Sequence, residues 1–478
     1  MGREITSTDF SDEDSEEFEK KLRDESRILR EWFETGSFEE TEGLCGFELE
    51  AWLVDRHLDP YPQNEEFLRR VNSPLVVPEL AKFNVEINST PHPIEGKFLS
   101  VMQEELGRVW GLCEKHASDM DGGIMAIGIH PNISNEMLTL DNMSAMRRYA
   151  ALNQQVLQLR QGKPLKLDIE GRDCLKIEHR DVMLEATITS LQIHLQVSQS
   201  KAVRHYNLAQ ILAAPLVAVS ANSPYLFEKE LWEETRIPIF EQSVSVASFR
   251  DCHGDLVGRV HFGTGFLRKS LFEAFLENLD GFPVLLPLVT DDDPTWLSHL
   301  RLHNGTIWRW NRPLIGLDHH GKPHLRIEHR VVPSGPSLID TIANIAFLVG
   351  LDRYFISQDE PLEMGFAFED VKANFYNAAR EGLQAKIKWV GGKSLSMQCL
   401  LLETLLPAAR QGLLATGIDK SDVSFYIDEV MAPRVLSMRN GANWQRTFIS
   451  NHGKNFQEMI HAYHENQKKN LPVHLWDV

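Results

Sequence analysis

The run CGFELEAWLV, residues 45–54, constrains this chain more than any other stretch. Neighbouring side chains of a strand point to opposite faces. Phe47, Leu49, Ala51 and Leu53 therefore form an apolar row, and Glu48, Glu50 and Trp52 form the row behind it. The two glutamates stand side by side, about 7 Å apart. Like charges on one face repel, and a face that merely met water would carry Thr, Lys or mixed signs. Either solvent screens this pair or a cation does.

The arrangement returns three times. Over 83–88 the polar row is Asn84, Glu86 and Asn88; over 190–197 it is Ser190, Gln192, His194 and Gln196; over 325–331 it is Arg326, Glu328 and Arg330, which leaves His329 on the apolar side. Taken singly, each is an antiparallel strand with one wet face. Together their polar rows hold Glu, His, Asn, Gln and Arg, with almost no Lys or Thr. That is the inventory of a divalent-metal and phosphate site. Oxygen donors suit Mg2+ or Mn2+, which share substrate phosphates, and arginine grips carboxylate or phosphate with two parallel bonds.

With 478 residues, 42% of them hydrophobic, the chain can bury a large core and has room for two or three domains. A net charge of -19 argues against a nucleic-acid or anionic-membrane partner. No apolar run approaches the roughly 20 residues of a membrane span, and the acidic stretch 11–17 lacks the basic-then-apolar order of a signal peptide. Cys45, Cys113, Cys174, Cys252 and Cys399 are odd in number and show no CxxC spacing, which fits reduced thiols and a cytoplasmic protein. Cys45 reads as a small buried residue rather than a nucleophile.

Phe18, Leu22, Leu29, Trp32 and Phe33 predict a helix over 11–36, ended by Gly36, within an acidic N-terminal extension, 1–40. Short strands interleaved with helical stretches at 95–117 and 143–161 define a catalytic unit, 41–395. A helical part, 396–478, is expected to pack on it, with Leu401, Leu402, Leu405 and Leu406 on one face. Val390–Ser394, VGGKS, ends like a phosphate-binding loop, but Ile387 stands where the first glycine is needed and no strand is expected before it, so that reading is rejected. His319, His320 and His324 fall in or beside a turn and His329 faces inward, which speaks against zinc. The echo of 175–180 in 325–330 is too short to signal a duplication.

These residues carry a resemblance, over about 43–415, to the glutamate-cysteine ligases and the related bacterial carboxylate-amine ligases. GFELE is similar to the family's first strand, with paired metal-binding glutamates. In VPELAKFNVEINSTP, Glu79 and Glu86 keep the spacing of two further acidic ligands, and LQIHLQV resembles the strand that supplies a histidine. SANSPY with Arg236 resembles the Asn-Ser-Pro turn and substrate arginine; HNGTIWRWNRP, RIEHR and NFYNAAREGLQA resemble, in order, the Trp-Asp-x-Arg-Pro segment, the Thr-Glu-x-Arg strand and a helical signature near the nucleotide.

The resemblance implies an α+β fold built on a curved antiparallel sheet of the glutamine-synthetase catalytic type, with helices on its outer face and a helical C-terminal part. It implies ATP with Mg2+, or Mn2+ in its place, activating a carboxylate, first of all the γ-carboxylate of L-glutamate, as an acyl phosphate for attack by an amine. The partners are then a small amino acid and an amine. The implied metal ligands are Glu48, Glu50, Glu79, Glu86, His194 and Glu328, with the opening glutamates sharing Mg2+. Arg312 and Arg330 would act with Glu328 on the transferring phosphoryl, Arg236, Asn222 and Gln192 would serve the substrate, and Asn374 and Arg380 the nucleotide. Loss of charge at Glu50 or Glu328 is expected to leave the fold intact by relieving repulsion. Three positions depart from the family: its first histidine is Gln192, the aspartate of Trp-Asp-x-Arg-Pro is Asn311, and the threonine ahead of the final glutamate is Arg326. A ligase for another acid or amine, including a protein side chain, stays open, as do a silent nucleotide- or metal-binding protein and a metal-dependent hydrolase.

Overall fold

The computed structural model describes residues 5, 7–246, 249–251 and 254–478; Cys252 lies outside them. Helix α1, Asp12–Thr35, begins where the Ser11 hydroxyl accepts the Asp14 amide and the Asp14 carboxylate accepts the Ser11 amide. This is a capping box. Gly36, at φ 68°, closes the helix, and Phe18, Leu22 and Leu29 bury against Leu271, Phe275, Leu297 and Leu300.

The sheet is built from β1, Leu44–Asp55; β2, Val76–Pro78; β3, Asn84–Asn88; β4, Ser190–Val197; β5, Asn311–Leu317; and β6, Pro323–Pro333. It runs in the order β5–β6–β4–β1–β3–β2, and the short strands His92–Pro93 and Gly122–Met125 also pair with β1. These pairings are antiparallel, and the sheet curls into a half-barrel. Register carries the polar rows into line. Glu50 lies opposite Glu86, Glu48 opposite Gln192, and Glu328 opposite both His194 and Arg312. Slipping any strand by one residue would turn its charged row into the core.

The apolar rows face helices. After α2, Phe98–Ser118, and α3, Arg147–Leu159, helices α4, Ala202–Ser220, and α6, Leu338–Ile356, lie across the back of the sheet, with the short α5, Arg236–Ser243, between them in sequence. α4 and α6 are buried along nearly their whole length, as befits helices apolar on most faces. His329 is buried on this side, as its place in the alternation requires, and Cys45 is buried there too. The histidine-rich turn joins β5 to β6; Asp318 accepts the backbone amides of His320 and Lys322.

α7, Phe368–Glu381, is followed by a strand the sequence reading did not expect: Lys386–Trp389 precedes the VGGKS stretch and pairs with Lys393–Ser396 in a hairpin turned by Gly391 and Gly392 at positive φ. A second strand follows where a phosphate loop needs a helix, so the rejection stands on different grounds. Leu401–Leu405 form a π-helical turn running into α8, Leu406–Ala415, with Leu401, Leu405 and Leu406 buried. α9, Gly441–His452, and α10, Phe456–Lys468, complete the chain's long helices. One apolar core extends from Cys45 to Trp476, across residues 395 and 396. Among the described residues no helix is long and apolar enough to cross a membrane.

Candidate active site

The inner face of the half-barrel sorts its acids into two groups. Glu48, His194 and Glu328 form one and Glu50, Glu79 and Glu86 the other, the candidate ligand atoms of each lying within 4.8 Å of one another. Glu48 and Glu50 share one face of β1 but stand at different points along it and fall into different groups, where the sequence reading has them share Mg2+. His194 Nε2 stands 3.4 Å from Glu48 and 3.7 Å from Glu328. Neither of its ring nitrogens has a hydrogen-bond partner among the described residues, and the same holds for Glu86 Oε2. Buried polar atoms are rarely left so. Carboxylates in excess, one imidazole and unpartnered donor atoms fit a hard divalent cation.

The groups differ in their counter-charges. Burial pushes Glu79 and Glu86 well above the ordinary carboxylate range; the charges of Glu50 and Glu185 add to this at Glu79, and those of Glu48 and Glu79 at Glu86. Burial raises Glu50 too, while Arg330 and Arg236 pull it back. Glu328 is also buried, yet Arg312 donates through Nε at 2.9 Å and Nη2 at 3.0 Å, and Arg330 through Nη1 at 3.0 Å. These guanidinium groups outweigh burial and hold Glu328 well below its usual value. At Glu48 burial opposes ionisation and neighbouring His194 outweighs it, holding the carboxyl at about 2. Gln192 joins the two groups: its amide donates to Glu50 at 2.8 Å and its carbonyl accepts from Arg330.

Arg236 is fully buried beside the site, 3.1 Å from Glu234, its guanidinium 5.9 Å from the Trp310 ring centre. Asn222 is not presented to this face. Its amide donates to Ser334 O at 2.8 Å and Tyr463 Oη at 2.9 Å, its carbonyl accepts from Gln445 at 2.9 Å, and its backbone amide donates to Glu234. It anchors the turn that carries Glu234 and Arg236. Asn374 likewise exchanges both ends of its amide with the backbone of Lys388, at 2.6 and 2.8 Å. Arg380 is exposed on α7, 4.4 Å from the Trp232 ring centre. The sequence reading missed Glu185, a half-buried acid in the turn Val182–Thr187, pushed up to about 8 by burial and by Glu50. A lone acid in an apolar, irregular run was its sole signal.

A curled sheet with carboxylates inside and arginines closing over them defines a carboxylate-amine ligase of the glutamine-synthetase-like fold. The chain belongs to glutamate-cysteine ligase family 2, whose profile matches residues 44–469. Among curated proteins none matches it. The glutamate-cysteine ligase of Francisella tularensis, solved in complex with AMP, is similar in fold, with a TM-score of 0.52 at 11% identity over 90% of each chain. A bifunctional glutathione synthetase from Pasteurella multocida has a TM-score of 0.50 at 13% identity, over 93% of this chain and 55% of its own.

Proposed function

We propose that this ligase uses ATP and Mg2+ to activate the γ-carboxylate of L-glutamate as an acyl phosphate and joins it to an amine in the cytoplasm. The observation that carries the reading is the pair of acidic groups on one face, bracketed by Arg236, Arg312 and Arg330. Glu48, His194 and Glu328 on one side, and Glu50, Glu79 and Glu86 on the other, would hold Mg2+ or Mn2+, which when bound neutralises phosphate charge. In the first step a carboxylate oxygen bonds to the γ-phosphorus and the bridging oxygen leaves with ADP. In the second the amine attacks the acyl carbon and phosphate departs. Both steps ask a protein for positioning and charge rather than for a nucleophile of its own. Arg330 steadies the transferring phosphoryl, Arg312 holds Glu328 in place for it, and Arg236 receives the α-carboxylate. The AMP bound by the Francisella ligase supports a nucleotide substrate.

A second reading keeps the chemistry and changes the acid or the amine. Gln192 favours it, because this uncharged bridge between Glu50 and Arg330 stands where the resembling ligases place a histidine. Hydroxylamine separates the cases, since it intercepts an acyl phosphate whatever the natural amine is. With ATP, Mg2+ and L-glutamate the wild type is expected to form the γ-glutamyl hydroxamate and Glu86→Gln to form none. Hydroxamate with another acid alone corrects the substrate, and none with any carboxylate overturns the ligase reading.

A further inference from the structure

Beyond Glu328, on the side away from Arg330, the inner face carries a second basic group that the scheme above leaves unused. Arg326 shares the face of β6 with Glu328 and lies opposite Gln196 on β4 and Leu314 on β5. The other inner-face arginines are paired, Arg312 and Arg330 with Glu328 and Arg236 with Glu234. Arg326 makes no ion pair or hydrogen bond through its side chain among the described residues, and its Nε is buried. Arg301, exposed on the helix Ser298–Gly305, also makes no ion pair or side-chain hydrogen bond there. Burial opposes the charge of Arg326, Glu328 and Glu48 favour it, and Arg301 and Arg312 are close enough to oppose it more weakly; His324, the preceding inward residue of β6, senses Arg326 and Arg301. Across the strand Gln196 is 6% exposed, its Oε1 unpartnered among the described residues.

In a chain with 68 acidic and 49 basic residues, a largely buried arginine set beside Glu328 and Glu48 yet not paired with them calls for an anion from outside. The anion has to sit against the Glu48–His194–Glu328 group and extend toward Arg301. We propose that Arg326, flanked by Arg301 and Gln196, binds the phosphates that stay with the leaving nucleotide, those of ADP. The inference rests on the nucleotide-dependent reading above. It moves the nucleotide contact from Asn374 and Arg380 to the first half of β6.

The test is calorimetric titration of the full-length protein with Mg·ADP, alongside thermal melting of the unliganded protein. Arg326→Gln is expected to weaken Mg·ADP binding roughly ten- to hundredfold, the range for losing charge-assisted hydrogen bonds. Its unliganded Tm is expected to equal or exceed the wild-type value, because a largely buried guanidinium with no ion-pair partner is gone. Undiminished Mg·ADP affinity in Arg326→Gln overturns the inference and leaves the ligase reading standing. If Tm falls together with affinity, Arg326→Lys decides: recovered affinity supports phosphate binding, and unrecovered affinity assigns Arg326 a structural role and overturns the inference. A wild type that binds no Mg·ADP at millimolar concentration overturns the nucleotide reading and the inference with it.

Discussion

Glu86 is fully buried among Glu48, Glu50 and Glu79 and, among the described residues, accepts one side-chain hydrogen bond, from Asn88 at 2.8 Å, whereas Glu328 accepts three from arginines. Neutralising these two residues therefore has opposite effects on the metal-free protein. Glu86→Gln removes a charge that burial and its neighbours oppose, so its Tm in chelator exceeds the wild-type value. The folded pKa of Glu86 lies above the unfolded one. Wild type and variant accordingly differ little near pH 4, and the gap widens as pH rises from 5 to 8, because the unfolded chain ionises first. Glu328→Gln instead leaves Arg312 and Arg330 buried without their carboxylate, at a cost of about 3 kcal/mol. The sequence grouped Glu328 with the repelling acids, because alternation shows that Arg326 and Arg330 share its face but not which acid the arginines reach. Melting curves of both variants in EDTA check the point; equal shifts would mean that both acids see the same surroundings.

At the scale of elements, the strands were legible because period-two alternation is the same physical fact as a two-faced sheet. By it Glu48, Glu86, His194 and Glu328 each fall on the polar row of their strand, and those rows meet on the inner face. Asn222 and Asn374 were not legible in this way: an asparagine in a motif reads alike whether its amide meets a ligand or a neighbouring backbone. Asn374→Ala should accordingly unpin the Lys386–Ser396 hairpin at a cost of about 1–2 kcal/mol while leaving the Mg·ADP affinity unchanged; a loss of affinity at full stability would restore its nucleotide role. Behind the sheet, α4 and α6 meet in a charged pair that the sequence did not announce, His205 Nδ1 lying 2.7 Å from Asp352. Burial disfavours the imidazolium, but Asp352 and Glu42 outweigh it, so the folded pKa of His205 lies above its ordinary value. The stabilisation is then complete below the unfolded value near 6.5 and is lost as pH rises through the folded one. His205→Gln should show its largest Tm deficit at pH 6 and a narrowing deficit toward pH 9. A deficit independent of pH would mean that the histidine is neutral.

At the scale of the whole molecule, the C-terminal helices reach into the site they do not line. Gln445 on α9 and Tyr463 on α10 hold Asn222, Arg446 pairs with Glu233 and donates to Leu231 O at 2.8 Å, and Gln467 holds Ala126 O at 2.8 Å. Asn222 in turn fixes Glu234, and Glu234 fixes Arg236. A boundary at 395/396 separates segments by composition, yet the apolar core crosses it without a break. Burial shared in this way couples unfolding, because neither part can lose the other without exposing core. Ligand binding on the inner face should therefore be felt in α9 and α10. At a nucleotide concentration 100 times its Kd, Mg·ATP should stabilise the native state by about 2.7 kcal/mol, in one transition seen alike by the Trp52 region and by Trp444 on α9. Hydrogen exchange reads this directly, since the amides of α9 and α10 should slow by the same factor as those of β1 and β4 when Mg·ATP binds. Protection confined to the sheet would show that the C-terminal helices open on their own and that Arg236 is held from within the sheet alone.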